Sequence, residues 1–264
     1  MEVSRRNFLK LGVGTVMGSL LISAVPTALK VFADNGASAA SQPANMPTNS
    51  AHYWRFVVDI RKCIGCGSCV RACKAENDVP LQPEYNRTWV ERYVVDAQEK
   101  VYVDSPNAGY DGFKAEYMNT KYNNLDIRTT FFVPKLCNHC DKPPCVPVCP
   151  VGATYQNSEG VILINRNACI GCRYCVQACP YGARFFHPTL KVVDKCTWCY
   201  HRITKGELPA CVETCPTGAR MFGDIRDPNS SVSKAIKDEA VGILKPELGN
   251  ENKVYYLGLD KGVR

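Results

Sequence analysis

Cys63-Ile64-Gly65-Cys66-Gly67-Ser68-Cys69-Val70-Arg71-Ala72-Cys73 spaces four thiols as C-x2-C-x2-C-x3-C. Cys169, Cys172, Cys175 and Cys179 repeat that spacing and are followed by Pro180. Two further quartets keep the ends of the pattern and widen its middle. Cys137, Cys140, Cys145 and Cys149 enclose Asp141-Lys142-Pro143-Pro144, while Cys196, Cys199, Cys211 and Cys215 enclose Tyr200 to Ala210. All sixteen cysteines of the 264-residue chain fall in these groups. A second repeat aligns them: Cys149-Pro150-Val151-Gly152-Ala153, Cys179-Pro180-Tyr181-Gly182-Ala183 and Cys215-Pro216-Thr217-Gly218-Ala219 are one phrase with one variable position. Such repetition implies one supersecondary unit used several times. The first motif departs, with Lys74-Ala75-Glu76-Asn77 after its last cysteine.

A disulfide framework spreads its cysteines to close useful loops, whereas this spacing wraps thiolates around one small object. Four-cysteine zinc sites also use C-x-x-C pairs, but zinc has no use for a third cysteine two residues on and a fourth soon after. The spacing therefore predicts four iron-sulfur clusters. Three cysteines on a tight loop hold three irons of a cubane, and Gly65, Gly67 and Gly171 let backbone amides approach its sulfides. The fourth cysteine, expected at the start of a short helix, points to the other cluster of a pair. The formal charge of +7 suggests nucleic acid or an acidic membrane surface. Sixteen thiolates and four oxidised cores bring that charge to about −1, so the basic residues mostly offset cluster charge and no nucleic-acid partner is expected.

Ser4-Arg5-Arg6-Asn7-Phe8-Leu9-Lys10 precedes a mild apolar stretch from Leu11 to Leu29, broken by Gly12, Gly14, Gly18 and Pro26. It resembles a twin-arginine export signal, which carries proteins already folded across the membrane. Val31-Phe32-Ala33 and Ala37-Ser38-Ala39 are candidate cleavage sites, and an uncleaved anchor is the alternative. Residues 1–33 are thus expected to be signal or anchor and 34–52 a flexible linker. Strands are expected at Arg55–Ile60, Trp89–Val95 and Lys100–Val103. Hairpins are expected at Thr154–Gln156 with Val161–Ile164 and at Arg184–Phe186 with Lys191–Val193. Short strands around short cluster-bound helices make a small α+β domain, used twice.

Cys137-Asn138-His139-Cys140-Asp141-Lys142-Pro143-Pro144-Cys145, Lys195-Cys196-Thr197-Trp198-Cys199, Leu208-Pro209-Ala210-Cys211 and Gly223-Asp224-Ile225-Arg226-Asp227-Pro228 are specific phrases. They resemble the four-cluster iron-sulfur subunits of respiratory complexes, such as those of dimethyl sulfoxide, polysulfide, thiosulfate and tetrathionate reductases. The resemblance runs from about Trp54 to Ser230. It implies two bacterial ferredoxin-like domains of two 4Fe-4S clusters each, the second inserted within the first. Residues 53–128 and 194–230 would form the outer domain, 129–193 the inner one, and 231–264 a C-terminal extension. It also implies that one cluster takes Cys63, Cys66, Cys69 and Cys215, and its neighbour Cys196, Cys199, Cys211 and Cys73. The inner pair would take Cys137, Cys140 and Cys145 with Cys179, and Cys169, Cys172 and Cys175 with Cys149.

The implied function is electron transfer without catalysis, between a polysulfide-reductase-type membrane quinone subunit and a catalytic molybdoenzyme or cytochrome subunit. The implied place is the periplasmic side of the cytoplasmic membrane, reached through the twin-arginine export machinery and held by a partner or an uncleaved signal. Nothing resembles a nucleophile with its base, a phosphate loop or a molybdopterin-sized domain. An enzyme with an open cluster site is the rival, and complete quartets count against it. His139 is expected to lie beside a cluster or at the surface without ligating it; His52, His187 and His201 show no ligand spacing. Tyr174, Tyr181, Phe186 and Trp198 are expected to pack over clusters, and Arg71 and Lys74 to offset their charge. Asp104 to Asp126 is longer than in several relatives and has no assigned role.

Overall fold

The computed structural model describes residues 51–114, 121–260, 262 and 263. The signal, its cleavage sites and nearly all of the linker lie outside them. In chain order the strands are β1 (Trp54–Asp59), β2 (Thr88–Asp96), β3 (Val101–Asp104), β4 (Ile127–Leu136), β5 (Thr154–Gln156) and β6 (Ile162–Ile164). There follow β7 (Arg184–Phe186), β8 (Val193–Lys195), β9 (Arg220–Asp224), β10 (Val241–Gly242) and β11 (Val254–Leu257). Helices are α1 (Ser68–Glu76), α2 (Tyr174–Gln177), α3 (Tyr200–Ile203), α4 (Ala210–Glu213) and α5 (Ser231–Asp238).

β1 is apolar on both faces because both are covered. Phe56 and Val58 point into the large core among the cysteines, while Val57 points the other way onto Val232 and Leu257. All three positions on β1 are fully buried, as strict alternation along a strand requires when layers lie above and below. The sheet runs β10-β11-β1-β9. β9 joins β1 antiparallel, Phe56 opposite Phe222, and β11 joins it parallel, Phe56 opposite Val254. The C-terminal extension therefore supplies two strands of the principal sheet, and α5, capped by the Ser230 hydroxyl accepting from Ser233 N, covers its outer face.

A second sheet, β3-β2-β4, holds the first motif against the rest. β2 and β4 pair from Thr88 opposite Leu136 to Asp96 opposite Ile127, with an irregularity at Val95/Asp96. The β5-β6 hairpin falls where the sequence places it. The second hairpin pairs Arg184 with Lys195 and Phe186 with Val193, two residues beyond the expected register. The His187 ring accounts for the shift, because its Nδ1 accepts from Thr189 N and Leu190 N and lengthens the turn.

The helices correct one expectation. Cys69 opens α1 and Cys73 lies one turn later, while Cys175 lies in α2 and Cys179 follows its end. The third cysteine, rather than the fourth, stands at the helix start, since a C-x3-C interval is about one helical turn. Residues 104–114 also acquire a role. Arg71 Nη1 donates to Tyr110 O at 2.6 Å, Phe113 N donates to Gly65 O at 3.1 Å, and the segment covers the first motif's loop.

Candidate iron-sulfur centres

In each C-x-x-C the residue before the second cysteine has positive φ: Gly65 at 66°, His139 at 43°, Gly171 at 71° and Trp198 at 55°. One left-handed turn thus opens all four motifs. At Gly65 and Gly171 it requires glycine for space as well, since a Cβ would lie 2.7 Å from Phe132 Cε1 and from Lys191 O respectively. His139 and Trp198 instead put their rings into the protein, stacked at 4.0 Å.

The Cys-Pro-x-Gly-Ala phrase is a cradle for its own sulfur. Burial opposes the thiolate of Cys149, yet backbone N–H groups of Thr154, Val151 and Ala153 hold its pKa below the ordinary value. Cys215 is held down in the same way, against burial, by Arg220, Thr217 and Ala219. The glycine of each phrase, at φ 62°, 64° and 63°, turns the chain so that these donors converge.

The structure brings the outer quartets together across the sequence. Cys63, Cys66, Cys69 and Cys215 line one cavity with Gly67 and Arg220. Cys73, Cys196, Cys199 and Cys211 line a second with Asn77, Arg87 and Trp198. Cys73 therefore lies apart from the three cysteines that precede it. In the inner half, Cys140 feels the charges of Cys137, Cys145 and Cys179. Cys169 and Cys175 pack with Cys145 in one small core, and Cys172 is exposed. Cys149 is held by the backbone N–H groups of Thr154, Val151 and Ala153 and by the Thr154 hydroxyl. Cys196 and Cys137 feel one another's charge, which brings the two halves into contact at their buried quartets.

Burial and crowding set the chemistry of these thiols. Burial pushes Cys63 up to about 11, and it pushes Cys73 well above the thiol range, reinforced by Cys196, Cys211 and Cys199. Burial raises Cys211 to about 12 despite Arg220. Four such groups ionise together only around a strongly cationic centre. All sixteen are free thiols. Among the described residues no three Cys, His, Asp or Glu side chains close round a single ion, as tetrahedral zinc would need.

Several donors carry no signature in the motif spacing. Asn77 Nδ2 lies 3.7 Å from both Cys73 Sγ and Cys199 Sγ, its amide oriented by Arg87 Nη1 donating to Oδ1 at 2.7 Å. It stands where the first motif abandons the common phrase, and that departure was the signal. Arg184 Nη2 donates to Cys145 Sγ at 2.9 Å. Extending the phrase by one residue would have found both Arg184 and Arg220. Other expectations divide. His139 is fully buried, and because Ile162 N donates to Nδ1 at 3.0 Å, Nε2 carries the proton toward Cys196 O. Trp198 lines a cysteine cavity, whereas Tyr174 is 58% exposed. Arg71 and Lys74 hold backbone, Arg71 Nη1 donating to Tyr110 O and Lys74 Nζ to Pro80 O, Gln82 O and Tyr85 O, and Lys74 is also attracted by the charge of Cys73.

Residues 62–153 and 128–225 each match a family model described as a 4Fe-4S dicluster domain. The chain is 41% identical over 263 residues to a tetrathionate reductase subunit of Salmonella typhimurium, covering 98% of this chain and 90% of that protein. It belongs to the iron-sulfur subunit family of oxidoreductase complexes. Another member is a tetrathionate reductase subunit of Archaeoglobus fulgidus, 45% identical over 77% of this chain and 81% of that protein. A sulfite dehydrogenase subunit of Allochromatium vinosum is 40% identical over 76% and 81%. As a member, the chain is an iron-sulfur electron-transfer subunit. Two dicluster domains and sixteen cysteines in ferredoxin-like spacing support four 4Fe-4S clusters as its cofactors.

The side chains present fit such clusters. Trp198 Nε1 and Arg220 Nη1 are buried donors without a hydrogen-bond partner among the described residues, and each residue lines a cysteine cavity. Cluster sulfur is an acceptor that would satisfy them.

Proposed function

We propose that this subunit is a non-catalytic electron relay built on two cross-ligated cluster pairs. Cys63, Cys66, Cys69 and Cys215 hold one cluster and Cys196, Cys199, Cys211 and Cys73 its neighbour. Cys137, Cys140, Cys145 and Cys179 hold a third, and Cys169, Cys172, Cys175 and Cys149 the fourth. Residues 129–193 then form a domain inserted within the outer one. The observation that carries this reading is the exchange of Cys73 and Cys215 between the two outer cavities.

Each cluster accepts and releases one electron. On this reading the buried quartets stand in the middle of the relay, supported by the charge of Cys137 felt at Cys196. The quartets of the first and third motifs would then be its ends, a role supported by Ile64 and Ile170 within those motifs, both more than half exposed. That order suits passage from one partner protein to another: a membrane quinone subunit, and a catalytic molybdoenzyme or cytochrome subunit. We place the mature protein on the periplasmic side of the membrane, from the signal-like N-terminus. Among the described residues no helix is long and apolar enough to cross a membrane. Purification of the native complex tests the assignment. A membrane quinone subunit and a cofactor-bearing catalytic or cytochrome subunit should accompany the chain; substrate turnover by the isolated chain would overturn it.

A further inference from the structure

Each half of the molecule contains the same buried pair, an arginine anchored on a threonine. Arg184 opens β7 and its Nη1 donates to the hydroxyl of Thr154, which opens β5, at 3.2 Å. Arg220 opens β9 and its Nη2 donates to the hydroxyl of Thr88, which opens β2, at 2.8 Å. Thr88 passes its own proton to Lys135 O at 2.6 Å, so its oxygen faces the guanidinium. Both arginines are at least 95% buried, and among the described residues neither has a carboxylate partner within ion-pair reach. A buried guanidinium without a carboxylate is costly unless other negative charge offsets it.

That charge is sulfur. Arg184 is attracted by Cys145, Cys137, Cys175 and Cys179, and Arg220 by Cys69, Cys211 and Cys63. On the ligand assignment above, on which this inference rests, each set spans both clusters of one pair. Arg220 lines the cavity of Cys63, Cys66, Cys69 and Cys215, and it also attracts and hydrogen-bonds Cys211, which lines the neighbouring cavity.

We propose that Arg220 and Arg184 are positioning residues that set reduction potentials pairwise, Arg220 for the two outer clusters and Arg184 for the two inner ones. Adding an electron to a thiolate-ligated cluster increases negative charge in a buried site. A fixed cation beside it, and N–H donors to its sulfurs, favour the reduced form and raise the potential. Arginine suits the task because it stays charged when buried and its fork reaches the threonine with one nitrogen and sulfur with another. One guanidinium between two clusters favours reduction of both, keeping the potentials of a pair together as electrons pass.

The test is a spectroscopic redox titration of the four reduced centres in the intact holoprotein, with iron and sulfide measured on every sample. Arg220→Met should keep full iron and move two centres to lower potential, leaving the other two in place. Arg184→Met should do the reverse. Arg220→Lys, which keeps charge but not the fork, should move the same two centres by less. Thr88→Val, which frees the anchor and keeps the charge, should shift that same pair, and it decides the case if Arg220→Met fails to load. Fully loaded Arg220 variants with unchanged potentials, or shifts spread over all four centres, would overturn the proposal. If Arg220→Met fails to load, an unchanged outer pair in Thr88→Val would overturn it equally. A wild-type protein that titrates fewer than four centres would instead overturn the ligand assignment before any variant is made.

Discussion

His139 stacks on Trp198 with ring centroids 4.0 Å apart, joining the second cysteine motif to the fourth. Each occupies the left-handed position that glycine fills in the other two motifs. His139 also ties Ile162 N to Cys196 O through its two nitrogens. Replacing it with Ala orphans the buried Ile162 N–H and removes a ring contact, while Cys196 O keeps Lys195 Nζ at 2.7 Å. At about 1–3 kcal/mol for the group left unpaired, His139→Ala should bleach its cluster absorbance several-fold faster on anaerobic heating. An unchanged bleaching rate would show that the bridge contributes nothing.

Purified anaerobically, the protein should contain about sixteen iron and sixteen acid-labile sulfide per chain, four of each per cubane. Iron near eight, or stoichiometric zinc, contradicts four clusters.

Cys69 and Cys73 are four residues apart, yet they line different cavities. Cys69→Ser should perturb the centre shared with Cys63, Cys66 and Cys215, and Cys73→Ser the centre of Cys196, Cys199 and Cys211. Spectra resolving the individual reduced clusters decide the matter; loss of the same centre in both variants would make each motif a self-contained site.

Arg87 and Asp194 form a buried bidentate pair at 2.9 to 3.1 Å, tying the entry to β2 to the strand before the fourth motif. Removing one partner strands a buried charge, so Arg87→Ala or Asp194→Ala should cost about 3–5 kcal/mol. The double replacement should cost less than the sum, read from anaerobic denaturant titrations. Additive losses would mean that the pair is not coupled.

Arg5→Lys together with Arg6→Lys should leave the cofactor-loaded protein in the cytoplasm, because an export receptor reads the pair. Cell fractionation checks it, and undiminished export would refute the signal.

The sixteen cysteines, their grouping and the β5-β6 hairpin were legible because they obey local rules of spacing and alternation. The positions of Arg184, Arg220 and Asn77 were marked in the sequence, but their pairing with Thr154, Thr88 and the Cys73 and Cys199 sulfurs was not, since it arises only when segments from different motifs align. β4 and β11 escaped for a related reason. Val254 to Leu257 is a four-residue apolar run far from any motif, and only its pairing with β1 makes it a strand. His187 shifted one hairpin through side-chain bonds to backbone, which no residue periodicity records.

The strand β11 and the residues just before it close the molecule. Lys253 N donates to Asn138 O, Lys253 Nζ pairs with Asp141 at 2.6 Å, and Asp141 N donates to Glu251 O. A ribosome that has delivered all four motifs has still to deliver this strap. The principal sheet therefore cannot shut until every motif has been made.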